Sequence, residues 1–309
     1  MSSLDEQDSF LRGAAFAYLD QLTDRSGGTV TRNDLEAFTF RNTRIALVER
    51  QRGIRKVAGL EAALSILTTF TRDPTKAPYD DRIGADGYPR YKWQGTNADA
   101  FDNRALRAAM DQRKPLIWFM GVGPGEFDAI YPVYLVGEEP TERQFVVAVD
   151  EAMREQWEPM TDLLSHPADL AARRRYADVV VRQRLHQRVF RDRVLLAYSR
   201  RCALCRLQHP ELLDAAHIKE DADGGEPVVP NGIAMCAIHH RAFDAQVLGI
   251  SPDFRIQVRA DVLKEHDGPT LEHALQGMHG EVIALPIQRI ARPDPLLLEE
   301  RFVRFQAAG

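Results

Sequence analysis

Cysteine is scarce in this chain, and long apolar runs are missing. Three cysteines occur among 309 residues, all between positions 202 and 236, so we expect no disulfide framework and predict a reducing, cytoplasmic location. No run approaches the about eighteen apolar residues that a membrane helix needs, so no membrane partner is expected. The polar and acidic first residues, 1–8, differ from a signal peptide.

Excess positive charge is missing as well. The net charge is −5, with 44% hydrophobic and 28% charged residues, which is typical of an ordinary globular protein and argues against a general nucleic-acid binder. A chain of 309 residues is long enough for two domains. Internal repeats and low-complexity segments, which would indicate a repetitive or disordered architecture, are not found in the sequence.

The three cysteines belong to two metal-binding half-sites. Cys202-Ala-Leu-Cys205 is a Cys-x-x-Cys pair, and Cys236 and His239 are spaced closely in the same way further along the chain. Zinc favours a set of three thiolates and one imidazole, and a site closed by four protein ligands is structural. The spacing therefore predicts a structural zinc ion. A zinc ribbon without catalysis would satisfy the same pattern.

A second set of residues lies between and directly after these half-sites. His217 ends a short apolar stretch of strand character, Asn231-Gly232 is typical of a turn, and His240 lies in a helix predicted over residues 237–245. This order resembles the HNH endonuclease motif, the ββα-metal fold, in its zinc-stapled form. The resemblance implies that His217 is the general base and that Asn231 fixes the loop between strand and helix. It also implies that His240 binds a catalytic Mg²⁺, or alternatively Mn²⁺, Co²⁺ or Ni²⁺.

The sequence departs from the HNH pattern at one position. Many HNH sites carry an aspartate directly before the first histidine as a second metal ligand, and Ala216 stands there in this chain. Asp214 is a possible substitute, but alternation of side chains along a strand does not guarantee that it faces the metal. Asp244 lies four residues after His240 on the same helix face, where it would either orient that histidine or form a cap or salt bridge.

The N-terminal part is predicted to be a strand-rich domain that begins with a helix. Apolar residues recur at helical spacing over residues 10–19, and Thr31-x-x-Asp34 resembles a capping box. Residues 102–110 predict a further helix, so the fold class is α+β with a bent sheet or barrel. Short apolar runs rich in β-branched and aromatic residues predict strands over 38–48, 64–70, 116–119, 131–136 and 145–149.

This part also carries a series of short aromatic and polar motifs. They are Tyr79-Asp80-Asp81, Tyr91-Lys92-Trp93-Gln94-Gly95, Asp102-Asn103-Arg104-Ala105-Leu106 and Lys114-Pro115. Their order resembles the SRA domain, a bent β-barrel of the PUA superfamily that reads modified cytosine, over roughly residues 40–150. Trp93 departs from the resemblance, because that family usually has glycine there, and this change could reshape the pocket.

The SRA resemblance implies base flipping. Tyr79 and Tyr91 would sandwich the extruded cytosine, and Asp80 or Asp81 would accept a hydrogen bond from its amino group. Extrusion costs a few kcal/mol and stacking returns about 1–3 kcal/mol per base, so the two terms approximately balance. The alternative is that both tyrosines are core or rim aromatics of a barrel.

An arginine-rich helical connector is predicted over residues 156–200. Residues 173–201 contain ten arginines and only two acidic residues, Asp178 and Asp192, and the arginines lie opposite an apolar helix face. Arginine suits phosphate contacts, so we predict contact with the DNA backbone, with a solvated surface helix as the alternative. The arginines assigned to the backbone are Arg184, Arg188, Arg191 and, from the N-terminal part, Arg104.

The remainder of the chain is predicted to pack on the HNH part. Two short strands surround Ser251-Pro252-Asp253, and an apolar helix covers residues 296–305. No chemistry is predicted there. The expected domains are thus an SRA-like reader with its N-terminal helix over 1–155, the connector over 156–200, and the HNH nuclease with its tail over 201–309.

Likeness to proteins that join an SRA-like reader to an HNH nuclease implies a type IV-like, modification-dependent restriction endonuclease. Its substrate would be double-stranded DNA that contains 5-methylcytosine or 5-hydroxymethylcytosine. One HNH site cleaves one strand, so a homodimer is expected. Two alternatives stay open: an HNH nuclease whose N-terminal domain reads plain sequence or a phosphorothioate backbone, and a zinc-containing DNA-binding protein without catalysis.

Overall fold

The chain divides into two units, each with its own hydrophobic core. The computed structural model describes residues 3–26, 28–49, 51–70, 72–73, 75, 83–157 and 167–308. The first unit comprises Met1–Phe70 and Tyr79–Val189, and the second comprises Thr71–Pro78 and Phe190–Gly309. Among the described helices, none is long and apolar enough to span a membrane.

The first unit is built on a seven-stranded mixed sheet that curls into a half-barrel. The strands of this unit are β1 (Thr29–Thr31), β2 (Thr39–Phe40), β3 (Thr43–Arg44), β4 (Ile54–Lys56), β5 (Ala63–Thr68), β6 (Arg90–Lys92), β7 (Leu116–Gly123), β8 (Glu126–Glu139) and β9 (Gln144–Ala148), of which β2 and β3 form a separate two-stranded sheet. The order in the large sheet is β4-β5-β7-β8-β9-β6, with β1 also paired to β8. β5 and β7 run parallel, and the other neighbours run antiparallel.

Helices surround this sheet, and the first of them closes one core. They are α1 (Ser3–Ser26), α2 (Arg32–Ala37), α3 (Phe101–Asp111), α4 (Glu151–Gln156) and α5 (Pro167–Val181). Leu11, Ala15 and Leu19 recur every four residues on one face of α1 and are buried. They share a cluster with Ile117 and Phe119 of β7, so the amphipathic pattern at the start of the chain docks α1 on the sheet.

Most predicted elements of this unit are confirmed. The predicted strands over 64–70, 116–119, 131–136 and 145–149 correspond to β5, β7, β8 and β9, and the predicted helix over 102–110 corresponds to α3. The capping box is confirmed too, because Thr31 and Asp34 each accept a hydrogen bond from the other's backbone N–H. The unit is therefore α+β, as the sequence indicates.

One predicted strand, over residues 38–48, is wrong. Arg41 and Asn42 have φ values of 48° and 63°, which place both residues in the left-handed region. The chain therefore turns at this point and forms the short hairpin of β2 and β3 instead of one continuous strand. The apolar residues on either side mask the turn in the sequence pattern.

The second unit contains a β-hairpin followed by a helix. After a π-helical segment (Arg182–Gln187), the chain forms α6 (Arg188–Ala197), β10 (Leu213–His217), β11 (Gly232–Cys236), α7 (Ala237–Asp244), β12 (Leu248–Ile250), β13 (Ile256–Val258), α8 (Pro269–Ala274) and α9 (Pro295–Ala307). β10 and β11 pair antiparallel, with Leu213 opposite Cys236 and His217 opposite Gly232. Leu298 of α9 is buried in the same core, so the end of the chain packs on this unit.

Candidate active site

Four side chains of the second unit converge on one point. The ligand atoms of Cys202, Cys205, Cys236 and His239 lie within 4.8 Å of one another. Nδ1 of His239 is 3.4 Å from the Cys202 sulfur and 3.2 Å from the Cys236 sulfur. Its Nε2 lies 2.7 Å from the carbonyl oxygen of Ala274, a hydrogen bond that directs Nδ1 toward the thiols. This Cys3His cluster fits a structural zinc ion.

His217 ends β10 with its ring packed on Phe190 of α6. The ring centroids are 4.1 Å apart and the planes differ by 21°. Gly232, which faces His217 across the hairpin, makes this contact possible, because a Cβ there would lie 2.7 Å from Phe190 Cζ. The imidazole is 20% exposed. Burial lowers the pKa of His217 and so favours the neutral imidazole that a general base requires.

Asn231 holds together the loop that joins β10 and β11. Its side-chain oxygen accepts the backbone N–H of Lys219 at 2.8 Å. Its amide donates to the carbonyl oxygens of Lys219 and Glu226 at 2.9 and 2.8 Å. Gly225 lets the loop approach itself closely, because a Cβ at that position would lie 1.9 Å from the Lys219 oxygen.

The position of this loop corrects one detail of the sequence prediction. Asn231 was expected to fix a loop between strand and helix, but the loop that it fixes lies between the two strands. α7 follows β11 directly, with Cys236 as its N-cap residue, so no loop separates them. The pinned loop begins one residue after His217, and the asparagine therefore holds the end of β10.

His240 of α7 lies between two carboxylates. Its Nδ1 is 3.4 Å from Asp214 Oδ2, and its Nε2 is 3.3 Å from Asp244 Oδ2. The hydrogen bond with Asp214 raises the pKa of His240. Burial alone would raise the pKa of Asp214, but the hydrogen bonds from His240 and from the Ala215 N–H lower it overall, so the carboxylate stays ionised.

The structure thus brings Asp214 beside His240, where the sequence left its direction open. The Asp214 carboxylate oxygen is a ligand suited to Mg²⁺ or Mn²⁺, and the imidazole nitrogen of His240 that faces it is a ligand suited to transition ions such as Ni²⁺. These two residues fit the catalytic divalent cation that the sequence predicts. Asp244 contacts the opposite ring nitrogen, so it is placed to orient His240.

Arg191, one of the arginines predicted to contact DNA, is bound within the chain. It donates hydrogen bonds to the carbonyl oxygens of Pro210 and Leu213, at 3.0 and 2.9 Å. Its Nε also lies 3.6 Å from Asp214 Oδ1. The guanidinium therefore supports the start of β10 and the carboxylate beside His240.

The other three arginines with this predicted role also have partners in the first unit. Arg104 donates a hydrogen bond to the carbonyl oxygen of Asp99, and Arg184 donates one to the carbonyl oxygen of Val149. Arg188 forms an ion pair at 3.0 Å with Asp128, whose side chain is fully buried. The Arg188 side chain nevertheless keeps 44% of its surface exposed.

The predicted base pocket is only partly described. Tyr91 is 6% exposed, donates a hydrogen bond to the Gly53 carbonyl oxygen at 2.8 Å, and meets Trp118 edge to face. In this structure Tyr91 is a core aromatic, the alternative to a base-stacking ring. Trp93 is half-buried, with the guanidinium of Arg107 5.4 Å from its ring centroid. Three pocket residues lie outside the described part of the chain: Tyr79, Asp80 and Asp81.

The sequence reasoning missed the role of Phe190. The residue was interpreted only as part of the apolar face of a helix, because periodicity does not show which partner a helix face meets. Gly232 was the available signal, since a glycine inside a strand often marks a close approach by another group.

The residues of this site also match a known family. Residues 202–251 match the HNH endonuclease family. This stretch is an HNH endonuclease domain. It begins at the first zinc ligand and includes His217, Asn231 and His240. The enzyme class predicted from the sequence is therefore confirmed.

Two solved structures are similar to the chain at low TM-scores. The modification dependent TagI restriction endonuclease has 15% identity and a TM-score of 0.32, over 83% of this chain and 86% of that chain. The type IV phosphorothioation-dependent restriction endonuclease ScoMcrA has 20% identity and a TM-score of 0.23, over 60% of this chain and 50% of that one. No curated protein matches. The HNH assignment rests on the family match alone, because TM-scores this low do not establish a shared fold.

Proposed function

We propose that this chain is a DNA endonuclease in which His217 is the general base. The observation that carries the proposal is the arrangement of His217, Asp214 and His240 on one hairpin–helix unit inside the HNH match. A neutral imidazole at the end of β10 can take a proton from a water molecule, which then attacks phosphorus. The bond from phosphorus to the leaving oxygen breaks in the same displacement.

Asp214 and His240 are the residues that would hold the catalytic divalent cation, with Mg²⁺ as the expected ion. When bound, such an ion polarises the phosphate and stabilises the negative charge that develops on the leaving oxygen. Asn231 keeps the loop after His217 in one conformation and so maintains the direction of its imidazole. Phe190 limits rotation of the same ring by stacking against it.

We also propose that the N-terminal unit recognises modified cytosine in double-stranded DNA. The support is the order of its motifs, which resembles the SRA domain, together with a curled sheet of mixed strands. Tyr79 would stack on the flipped base, and Asp80 or Asp81 would bind its edge. Because one HNH site cleaves one strand, cleavage of both strands would require a homodimer.

A second reading of the N-terminal unit has one observation in its favour. Tyr91 is buried and hydrogen-bonded in the core, so one of the two predicted stacking rings is committed elsewhere. A domain that reads plain sequence or a phosphorothioate backbone does not need two aromatic rings around an extruded base. The nuclease chemistry is the same under both readings.

Cleavage of matched plasmids separates these possibilities. The plasmids would carry unmodified cytosine, 5-methylcytosine, 5-hydroxymethylcytosine or phosphorothioate linkages, each incubated with the full chain and Mg²⁺ or Mn²⁺. We expect cleavage only of DNA with a modified cytosine. Equal cleavage of all plasmids would remove the modified-base reader, and cleavage confined to phosphorothioate DNA would favour the second reading.

A further inference from the structure

The C-terminal helix α9 lies outside the HNH match, yet it contacts the loop that Asn231 pins. Lys219 pairs with Glu300 at 3.3 Å, and Arg304 pairs with Asp223 at 2.6 Å. These contacts are partly exposed, and exposed ion pairs contribute little stability. They show which face of the unit α9 covers, but they do not reach either histidine.

Arg301, on the same helix, is far more enclosed. Its side chain is 12% exposed, against 45% for Arg304. The guanidinium carbon lies 3.9 Å from the ring centroid of Phe243, which is a cation–π contact. The same group donates to the carbonyl oxygens of Ile218 and Phe243, at 3.3 and 3.2 Å. Arg301 thus joins the residue after His217 to the end of α7.

Arg301 also reaches the carboxylate that touches His240. Its Nη2 lies 3.2 Å from Asp244 Oδ1, and the other oxygen of that carboxylate lies 3.3 Å from His240 Nε2. A histidine that binds a metal through one ring nitrogen commonly donates its other N–H to a carboxylate, which fixes the tautomer and the ring orientation. In this site Nε2 faces Asp244 and Nδ1 faces Asp214.

We propose that Arg301 is a positioning residue of the active site. It holds the Asp244 carboxylate against Nε2 of His240, which leaves Nδ1 directed toward Asp214 for the divalent cation. Asp244 is 40% exposed, so its carboxylate needs this second partner to keep one orientation. The inference rests on the proposed metal-binding roles of Asp214 and His240.

A purely structural role predicts something different. Arg301 also binds two backbone carbonyls and packs on Phe243, so its loss could simply loosen α9. In that case, the effects of removing Arg301 and Asp244 would be independent and would add. If Arg301 acts through Asp244, the second substitution weakens metal binding no further, because the first has already lost the positioning of His240 by the Asp244 carboxylate.

The test is a titration of Mn²⁺ into the zinc-loaded full chain without DNA, measured by isothermal titration calorimetry. The variants are Arg301→Ala, Asp244→Ala, their combination, and Arg304→Ala as a control from the same helix. We expect each single variant at Arg301 or Asp244 to weaken Mn²⁺ binding about ten-fold, and the double variant to be no weaker. Arg304→Ala should stay within about two-fold of the wild type. In cleavage assays, kcat should fall for Arg301→Ala while KM for DNA is unchanged.

Wild-type Mn²⁺ affinity in Arg301→Ala, or additive losses in the double variant, would overturn the proposal. If Arg301→Ala fails to fold, Arg301→Lys replaces it, because lysine keeps the charge over Phe243 but lacks the planar fork of donors. Wild-type affinity in a folded Arg301→Lys protein would count equally against the proposal. If the variants show the expected non-additive losses of Mn²⁺ affinity but the wild type cleaves no DNA, the proposed nuclease function is overturned and the positioning role of Arg301 is kept.

Discussion

The Asn231 side chain forms three hydrogen bonds, and each of them goes to the backbone of the same loop. It is 1% exposed, and it satisfies both the N–H and the carbonyl of Lys219 and also the Glu226 carbonyl. Buried backbone groups that lose a partner cost about 1–3 kcal/mol each. Asn231 therefore links the stability of this loop to the position of His217, the last residue before the loop begins.

We predict that Asn231→Ala lowers both the melting temperature of the second unit and kcat. Asn103 provides a matched control, because it pins residues 94–97 of the first unit with three similar hydrogen bonds. Asn103→Ala should cost comparable stability in its own unit and leave kcat for DNA hydrolysis unchanged. Thermal melts and single-turnover rates measure the two effects. Unchanged kcat in a destabilised Asn231→Ala protein would show that the loop does not position His217.

Residues differ in how far the sequence alone could predict their roles. The zinc ligands and the three HNH residues follow from spacing, since the pattern itself requires them to be near one another. Asp214 could not be placed, because its contact with His240 depends on the way α7 crosses the hairpin. Tyr91 shows the reverse case: an aromatic residue in a suggestive motif lies in the core, and burial cannot be inferred from the motif.

Among the elements, the hairpin–helix unit is small, and its Cys3His cluster fits a zinc ion that would hold it together. β10 and β11 have five residues each and α7 has eight, so they bury little apolar surface without support. The Cys3His cluster joins the turn after α6 to the end of β11 and the first turn of α7. Zinc bound there contributes directly to the folding free energy.

We predict that removing zinc unfolds the second unit and leaves the first unit folded. Chelation, or Cys236→Ser, should eliminate the melting transition of the second unit or lower its midpoint, because the ligands lose their common partner. Scanning calorimetry with limited proteolysis would assign each transition to its unit. His209→Ala is the control, since His209 is an exposed histidine four positions after Cys205 in the sequence and does not belong to the cluster. A single transition unchanged by chelation would contradict this account.

Elements with strong periodicity were predicted best. α1, α3, α7 and α9 agree with their apolar spacing, whereas the sequence pattern predicts one strand across β2 and β3 because apolar residues lie on both sides of the turn. The role of α9 could not be predicted. Arg301 is separated from His240 by 61 positions, and no spacing rule connects a tail residue with a site so distant in sequence.

In the molecule as a whole, each of the two units has its own core. The sequence predicts a connector up to residue 200, while the division between the units falls between Val189 and Phe190. Phe190 and Val194 belong to the core of the second unit, and Phe190 packs on His217. Periodicity identifies an apolar helix face, but it does not identify the core in which that face is buried.

The HNH unit carries the proposed base, the proposed cation-binding pair and a Cys3His cluster that fits zinc, and the first unit is the proposed reader. The proposed hydrolysis depends on His217 taking the proton from the attacking water. General-base groups typically contribute about 10²–10⁴-fold to the rate of such a step. The decisive experiment therefore concerns this residue and no other.

The measurement is the single-turnover cleavage of a plasmid that the wild type cuts, with Mg²⁺ present, by wild type, His217→Ala and His209→Ala. We predict that His217→Ala cleaves at least about 100-fold more slowly, with unchanged zinc content and DNA binding. His209→Ala should match the wild type, because His209 is exposed and pairs with Glu211, whereas the site is built on Asp214 and His240. Wild-type cleavage by a folded, zinc-loaded His217→Ala protein would contradict the proposed catalytic role of His217.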